Sequence, residues 1–319
     1  MLLEVSQLTV RYPHGSKTRP AAIRGASFAV DTGEVVGLLG ESGCGKSTMG
    51  LAIMGLLPGG TEVDGSIRLD GTEICGAPNT TMRSIRGARV SIVFQEPKAA
   101  LHPLLTVGDQ VTEVIRAHHQ DWPPARCRLE ARKAMGKAGL DDGCFNSYPH
   151  QLSGGQMQRV LIAQALACSP AVLIADEPTA SLDSVTQAEI LRLFRTLKAD
   201  TGLGILMITH HPGTLRQLAD RILVMYAGQI VEAGSVEQVL ENPMHPYTKG
   251  LLRSVPPPPG CAKKRLPALI PDGQDWAGVS TGCAFAPRCP VRLEECRRQA
   301  PMEIDLPSCH QVRCLLYAK

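Results

Sequence analysis

The sequence predicts an α/β protein with a mainly parallel sheet covered by helices on both faces. Three observations predict it. Short apolar runs alternate with longer stretches of helical spacing, the pattern of strands joined through crossover helices. A glycine-rich loop, Gly40–Ser47, follows directly on the apolar run Val35–Leu39 and leads into a helix-like stretch. A second apolar run, Ala171–Ala175, ends in the paired carboxylates Asp176 and Glu177, and its unbroken apolar character suits a strand buried on both faces.

Residues 2–12 alternate, with Leu3, Val5, Leu8 and Val10 apolar, and predict a strand ending near Tyr12. A second β region covers about 22–39, and the loop Gly40–Ser47 opens a helix to about Leu56. Val90–Phe94 reads as a short strand that stops at Gln95. From about 101 to 150 the spacing is helical and charged, interrupted by Trp122-Pro123-Pro124, which predicts a helical subdomain over about 96–151. Leu152-Ser153-Gly154-Gly155 opens another helix through about Cys168. Residues 184–200 form an amphipathic helix with Ile190, Leu191, Leu193, Phe194 and Leu197 inward. Ile205–Ile208 and Ile222–Tyr226 are further strands, and Ala227-Gly228 predicts a tight turn into Gln229–Ala233. No internal repeat is present. Pro256–Pro259 and Gly260 form a stiff linker, dividing a domain over 1–255 from a Pro- and Cys-rich extension over 256–319. About sixty such residues struggle to build a core without a staple.

Composition sets limits on function. Hydrophobic residues make up 44% of the 319, enough for a sizeable core, and a net charge of +3 gives no argument for nucleic acid. No apolar run approaches the roughly 20 residues that span a bilayer, and Met1-Leu-Leu-Glu-Val lacks the basic start of a secretory signal. A cytoplasmic protein that meets membranes only through partners is expected. Of 11 cysteines, six (261, 283, 289, 296, 309, 314) crowd into the tail; in a reducing compartment that points to metal before disulfide. The other five read as small apolar residues.

The chemistry starts at Gly40-Glu41-Ser42-Gly43-Cys44-Gly45-Lys46-Ser47-Thr48, which reads G-x-x-x-x-G-K-S. Such a loop curls so that successive backbone N–H groups face a phosphate chain, with the helix dipole behind them. Lys46 brings a point charge to the β and γ phosphates, and Ser47 a hydroxyl for Mg²⁺. Asp176 is placed to reach that metal, and Glu177 to orient or deprotonate an attacking water. Leu152–Arg159 supplies a second set of backbone donors at a helix start. Gln95 could sense the metal, and His210, after the run Ile205–Thr209, could hold the γ-phosphate.

In this order and spacing the motifs resemble the nucleotide-binding subunits of ABC transporters over about residues 1–250. The resemblance implies a RecA-like P-loop NTPase core with an antiparallel β subdomain and a helical subdomain, using ATP and Mg²⁺. Gly40–Thr48 matches Walker A, Gln95 the Q-loop, Leu152–Gln156 the LSGGQ signature, Val172–Asp176 Walker B, Ser181-Leu182-Asp183 the D-loop and His210 the switch histidine. Tyr12 matches the aromatic that stacks on adenine, though from sequence alone it could equally be a strand-end core residue. The family pairs two such domains head to tail, so Ser153, Gly154, Gly155 and Gln156 are implied to act in trans on the partner's nucleotide. His211 stands where an acidic residue commonly follows the switch histidine, and His102 where Asn is common.

Asn242–Thr248, Leu251–Pro256 and Cys283–Pro290 further resemble the oligopeptide, dipeptide and nickel import branch. That implies a peripheral ATPase on the cytoplasmic face of the inner membrane, importing peptides or, as the alternative cargo, nickel or a metal chelate. Its implied partners are a second, similar ATPase, two integral membrane permease subunits and an extracytoplasmic binding protein. A soluble ABC ATPase of DNA repair or translation is the rival class; such chains generally carry two nucleotide domains or long coiled-coil insertions. The tail spacing C-x5-C-x6-C-x17-C over Cys283, Cys289, Cys296 and Cys314 could hold a [4Fe–4S] cluster or, as the alternative, Zn²⁺; the bland reading is four unligated thiols. Arg288, Arg292, Arg297 and Arg298 could offset cluster charge or form a solvated face.

Overall fold

The computed structural model describes residues 1–13, 21–254 and 281–318; the Pro256–Gly260 linker and Cys261 lie outside them. Strands β1 (Leu3–Arg11) and β2 (Ile23–Val30) pair antiparallel, and β4 (Glu62–Leu69) and β5 (Thr72–Glu73) complete a four-stranded sheet in the order β2-β1-β4-β5. β4 forms although Glu62, Asp64 and Gly65 blur its apolar alternation; its ladder with β1 supplies what the pattern lacks.

The main sheet contains β3 (Val35–Leu39), β6 (Val90–Val93), β7 (Val172–Asp176), β8 (Gly204–Thr209), β9 (Arg221–Tyr226), β10 (Gln229–Ser235), β11 (Ile304–Leu306) and β12 (His310–Val312). Its order is β11-β12-β10-β9-β3-β8-β7-β6, with β9, β3, β8, β7 and β6 mutually parallel. Both faces are buried, and successive residues feed two different cores because side chains alternate across a strand. Val35, Leu39, Leu173, Ala175, Ile205 and Met207 enter one; Val36, Leu38, Val172, Ile174, Leu206 and Ile208 enter the other.

The second of these cores is closed by the antiparallel sheet and by α1 (Lys46–Ile53) and α2 (Asn79–Ile85). The first is closed by α4 (Val107–His118), α5 (Pro124–Lys137), α6 (Gly154–Leu166), α7 (Ser184–Thr201), α8 (Pro212–Leu218), α9 (Val236–Glu241) and α10 (Pro246–Arg253). A single turn, α3 (Pro97–Ala100), follows Gln95. The Trp122-Pro123-Pro124 interruption separates α4 from α5, with Pro124 at the first helical position, where its missing N–H costs no bond. In α7, Ile190, Leu191, Phe194 and Leu197 are buried, while Leu193 is only half-covered. At the β9–β10 hairpin, Ala227 and Gly228 have φ of 47° and 80°, the two positive values of a type I′ turn.

The tail does not build a core of its own; it adds to the existing one. β12 pairs antiparallel with β10, and Phe285 packs edge-on to Tyr226 and Tyr247 with ring centroids 5.1 and 5.5 Å away. A buried hydrogen bond pins it: His310 Nε2 lies 2.8 Å from Glu232 Oε1, and Glu232 also accepts the backbone N–H groups of Met244 and His245 at 2.6 and 2.9 Å. Among the described residues no helix is long and apolar enough to cross a membrane.

His245 caps α10 by accepting the Tyr247 N–H at 3.0 Å through Nδ1. Burial pushes this imidazole down to about 4, opposed by a hydrogen bond to the Arg313 backbone and assisted by the charge of Lys249. The fold therefore favours the neutral ring, while the unfolded chain takes up a proton near 6.5. Its stabilisation is complete above about pH 6.5 and is lost as pH falls towards 4, by about 3 kcal/mol. Denaturant unfolding from pH 7.5 to 4.5 should show this loss, and His245→Asn, which retains a capping acceptor, should flatten the profile between pH 6.5 and 4.5.

Candidate nucleotide site

Strands β3, β8, β7 and β6 are adjacent and parallel, so the loops at their carboxyl ends share one edge of the sheet. Those loops begin with Gly40, His210, Glu177 and the Phe94-Gln95 step. Together with Tyr12 from the end of β1 they surround an open cavity of about 400 Å³. Its lining includes Ser42, Gly43, Gly45, Lys46, Ser47, Thr48, Gln95, Asp176, Glu177 and His210. Most of the sequence-expected residues of one chain thus line one cavity, with Ala22 added at the rim, while Gly40, Glu41 and Cys44 of the loop do not line it.

The loop backbone is tightly constrained. Gly45, at the α1 N-terminus, has φ of 111°, and a Cβ there would sit 2.5 Å from the Ala22 carbonyl oxygen. Gly40 likewise faces the Met225 carbonyl, 2.3 Å from where a Cβ would stand. Lys46 Nζ donates to the Gly40 and Glu41 carbonyls at 2.8 and 2.9 Å, holding the ammonium inside the curl. The β9–β10 turn buttresses the loop through Gly228 N–H, which donates to Cys44 O at 2.9 Å. Tyr12 Oη shares a 3.1 Å hydrogen bond with Thr48 Oγ1 and leaves about a third of the residue exposed at the rim.

On the opposite wall stand two buried carboxylates. Burial raises the Asp176 pKa, a hydrogen bond from Ser47 and the charge of Lys46 lower it, and the Glu177 charge adds to the rise. Asp176 Oδ1 is buried with no hydrogen-bond partner. An orphaned carboxylate oxygen beside a hydroxyl is a hard oxygen set, and it fits Mg²⁺. Ser47 and Asp176, with Gln95 on the same cavity, are the residues that would hold that ion. Glu177 adopts φ of 49°, a region that non-glycine residues seldom occupy. Its carboxylate is held on two sides, by His210 Nδ1 at 2.6 Å from Oε1 and by Thr209 Oγ1 donating to Oε2 at 3.3 Å. A carboxylate so oriented at a water-accessible wall can accept a proton.

Ser153, Gly154, Gly155 and Gln156 do not line this cavity. They open α6 with a reciprocal capping box: Gln156 N–H donates to Ser153 Oγ at 3.2 Å and Ser153 N–H to Gln156 Oε1 at 2.9 Å. Ser153 and Gly154 are exposed. Asp183 caps α7, accepting the Val185 and Thr186 N–H groups at 3.0 Å each, and those bonds lower its pKa. His211 packs its ring against His210 at 4.0 Å, and burial lowers its pKa. The His102 ring accepts the Leu104 backbone N–H at 3.3 Å through Nδ1, while its own backbone N–H donates to Gln110 Oε1 at 2.8 Å.

The tail reading needs correction. Among the described residues no group of three or more His, Cys, Asp or Glu is spaced to hold a metal ion, so Cys283, Cys289, Cys296 and Cys314 do not form a single-ion site. They are gathered nonetheless: burial pushes the Cys314 thiol up to about 11, with Cys283, Cys289 and Cys296 each adding to the rise. Of the four arginines expected either to offset cluster charge or to form a solvated face, Arg292 faces Cys289 electrostatically, while Arg298 pairs with Glu294 at 3.7 Å. Arg288 is buried and forms a bidentate pair with Glu41 of the phosphate loop, at 2.9 and 3.0 Å. That contact spans 247 positions and carries no local sequence signal. Tyr247, whose hydroxyl accepts the Glu41 N–H at 2.9 Å, also escaped the sequence reading.

The fold and this cavity define a P-loop nucleotide-binding protein. The model of the ABC transporter family matches residues 23–180, and that of the oligopeptide/dipeptide transporter C-terminal region matches 231–296. The oligopeptide transport ATP-binding protein AppD of Bacillus subtilis is 41% identical over 320 residues, covering 99% of this chain and 97% of that protein. The dipeptide transport ATP-binding protein DppD of the same organism is 42% identical over 301 residues, covering 92% and 89%. The oligopeptide transport ATP-binding protein OppD of Mycobacterium tuberculosis is 42% identical over 316 residues; the chain spans about half of its length, 52%. Among solved structures, the dimeric, post-hydrolysis ATP-binding cassette MJ0796 bound to ADP and Pi matches with a TM-score of 0.66 at 30% identity, over 73% of this chain and 98% of that one. The chain belongs to the ABC transporter family, in its oligopeptide/dipeptide transporter branch.

Replacing Gly45 by Ala forces a Cβ against the Ala22 carbonyl at a positive φ. Gly45→Ala should weaken MgATP binding at least about tenfold, the scale of about 1.4 kcal/mol of lost loop geometry, as read by equilibrium dialysis.

Proposed function

We propose that this chain is the ATP-hydrolysing subunit of an importer for di- and oligopeptides. The observation that carries the reading is the convergence of Lys46, Ser47, Asp176, Glu177 and His210 on one cavity at the carboxyl edge of the sheet. Lys46 and the loop N–H groups bind the β and γ phosphates, and Tyr12 offers its ring to the base. Glu177, aligned by His210 and Thr209, accepts a proton from water as its oxygen attacks the γ-phosphorus. The bond from that phosphorus to the bridging oxygen breaks, and ADP leaves with the electron pair. The remaining ring nitrogen of His210 is the one that would meet the γ-phosphate. When bound, Mg²⁺ neutralises phosphate charge.

The exposed capping-box start of α6, away from the cavity, suits donation in trans. Ser153, Gly154, Gly155 and Gln156 would complete the nucleotide site of a second ATPase, with Asp183 at the same junction. Donors supplied across an interface are worth about 10³–10⁵ in rate in related phosphoryl-transfer systems. The names of the relatives support peptides as cargo, with nickel or a metal chelate as the second reading. Two membrane permease subunits and an extracytoplasmic binding protein complete the assembly, with this chain peripheral on the cytoplasmic side.

For the tail we retain a [4Fe–4S] cluster on Cys283, Cys289, Cys296 and Cys314 as the finer reading. Its support is the spacing and the mutual influence of the four thiols. The absence of a metal-holding group among the described residues counts against this cluster and against the alternative Zn²⁺ alike. Iron, sulfide and zinc all absent from anaerobically purified protein would overturn a metal role.

Glu177→Gln should keep MgATP binding and lower steady-state hydrolysis by about 10²-fold or more; undiminished turnover would remove Glu177 from the proton-accepting role. In cells, the same variant should abolish uptake of labelled di- or oligopeptide. Loss of nickel uptake alone would keep the mechanism and change the cargo.

A further inference from the structure

The contact between Arg288 and Glu41 joins the cysteine-bearing tail to the loop that receives the phosphates. Arg288 lies in a short 3-10 turn, Ala286–Arg288, and its N–H donates to the Phe285 carbonyl at 3.0 Å. Phe285 is 2% exposed and wedged against Tyr226 and Tyr247, which fixes where that turn can sit. The guanidinium lies 5.8 Å from the centre of the Tyr226 ring and delivers both nitrogens of its fork to the two oxygens of Glu41. Glu41 is the first residue after Gly40, where the loop starts to curl. Its own N–H is taken by Tyr247 Oη at 2.9 Å, and its carbonyl by Lys46. Backbone and side chain of Glu41 are therefore both held, the side chain by the tail alone among the hydrogen bonds described.

We propose that Arg288 is a positioning residue for the nucleotide: through Glu41 it keeps the phosphate loop in its curved, binding-competent form, so that the C-terminal lobe sets the affinity for MgATP. The inference rests on the nucleotide-binding reading of this cavity. Arg288 does not line the cavity, and the partner of its fork, Glu41, stands at the start of the loop rather than on the wall of Asp176, Glu177 and His210, so it acts on binding rather than on chemistry. A loop that is competent only part of the time binds with an affinity reduced by that fraction. The same phosphates are gripped in ground state and transition state, so the loss appears in KM and leaves kcat nearly unchanged. The lobe also carries the four gathered cysteines, and Cys289 directly follows Arg288. An event that reorganises those thiols reaches the phosphate loop through the Arg288–Glu41 pair.

The test uses the full chain, with MgATP binding by equilibrium dialysis and hydrolysis by steady-state kinetics. Arg288→Ala should raise the dissociation constant and KM about tenfold while kcat stays within about twofold, with Arg288→Lys, which keeps the charge and loses the fork, in between. Glu41→Ala leaves the lobe intact and should reproduce the KM rise, so the test survives if Arg288→Ala folds poorly. The double variant should be no worse than the more affected single one, the mark of a shared interaction. Glu303→Gln removes an ion pair internal to the lobe, with Arg313, and should leave KM unchanged. Unchanged KM in Arg288→Ala and Glu41→Ala, additive effects in the double variant, or an equal rise in Glu303→Gln would each overturn the inference. If the wild-type chain fails to bind MgATP at all, the nucleotide reading falls and takes this inference with it.

Discussion

Everything in this molecule depends on one sheet being buried on both faces with its central strands parallel. Alternate residues of β3, β7 and β8 feed separate cores, so neither face can be given up without losing half of the packing. Parallel strands also share a direction. Their carboxyl ends must open on one edge, where the loops leave the hydrogen-bonded ladder and are free to carry chemistry. Lys46, Gln95, Glu177 and His210 are scattered over more than 160 positions, yet they meet because β3, β6, β7 and β8 are neighbours with a common polarity.

The electrostatics of that edge are arranged around charges that the protein does not itself satisfy. Lys46 is buried with two carbonyl dipoles and the Cys44 sulfur, none of them an anionic carboxylate, as hydrogen-bond partners, and Asp176 keeps an oxygen without a hydrogen bond. An isolated protein would resolve both by pairing them more closely. Held apart on two walls of a cavity, they form complementary halves of a site for a phosphate chain and its cation. Glu177 differs: its two oxygens are held by His210 and Thr209, which suits a group that must point in one direction.

Much of this was legible in the sequence because the relevant signals are local. Glycine spacing, a lysine and a serine in eight residues define the phosphate loop, and Asp176-Glu177 ends a run too apolar to be anything but a buried strand. The proline pair at 123–124 located the α4–α5 break for the same reason. What escaped was non-local. β4 has a weak alternation and exists through its ladder with β1. The tail reads as unable to make a core, which holds for the tail alone and fails once β10 offers an edge and Tyr226 and Tyr247 offer a face. Arg288 sits among cysteines in the sequence and beside Glu41 in space, and composition points to the wrong neighbour.

The tail thereby acquires a role that its composition conceals. A lobe with few apolar residues of its own is stable here only as an addition to the main sheet, pinned by the buried Glu232–His310 pair and by Phe285. Such an addition has to dock near the β9–β10 hairpin, and that hairpin already buttresses the phosphate loop through Gly228 and Cys44. Proximity of the lobe to the nucleotide edge thus follows from where a free strand edge was available. Once docked there, a single buried arginine is sufficient to join them, because Glu41 stands at the start of the curl and has no other side-chain hydrogen bond described. The dependence runs both ways: whatever holds the phosphate loop in its curved form also holds Arg288, and with it the turn that precedes Cys289.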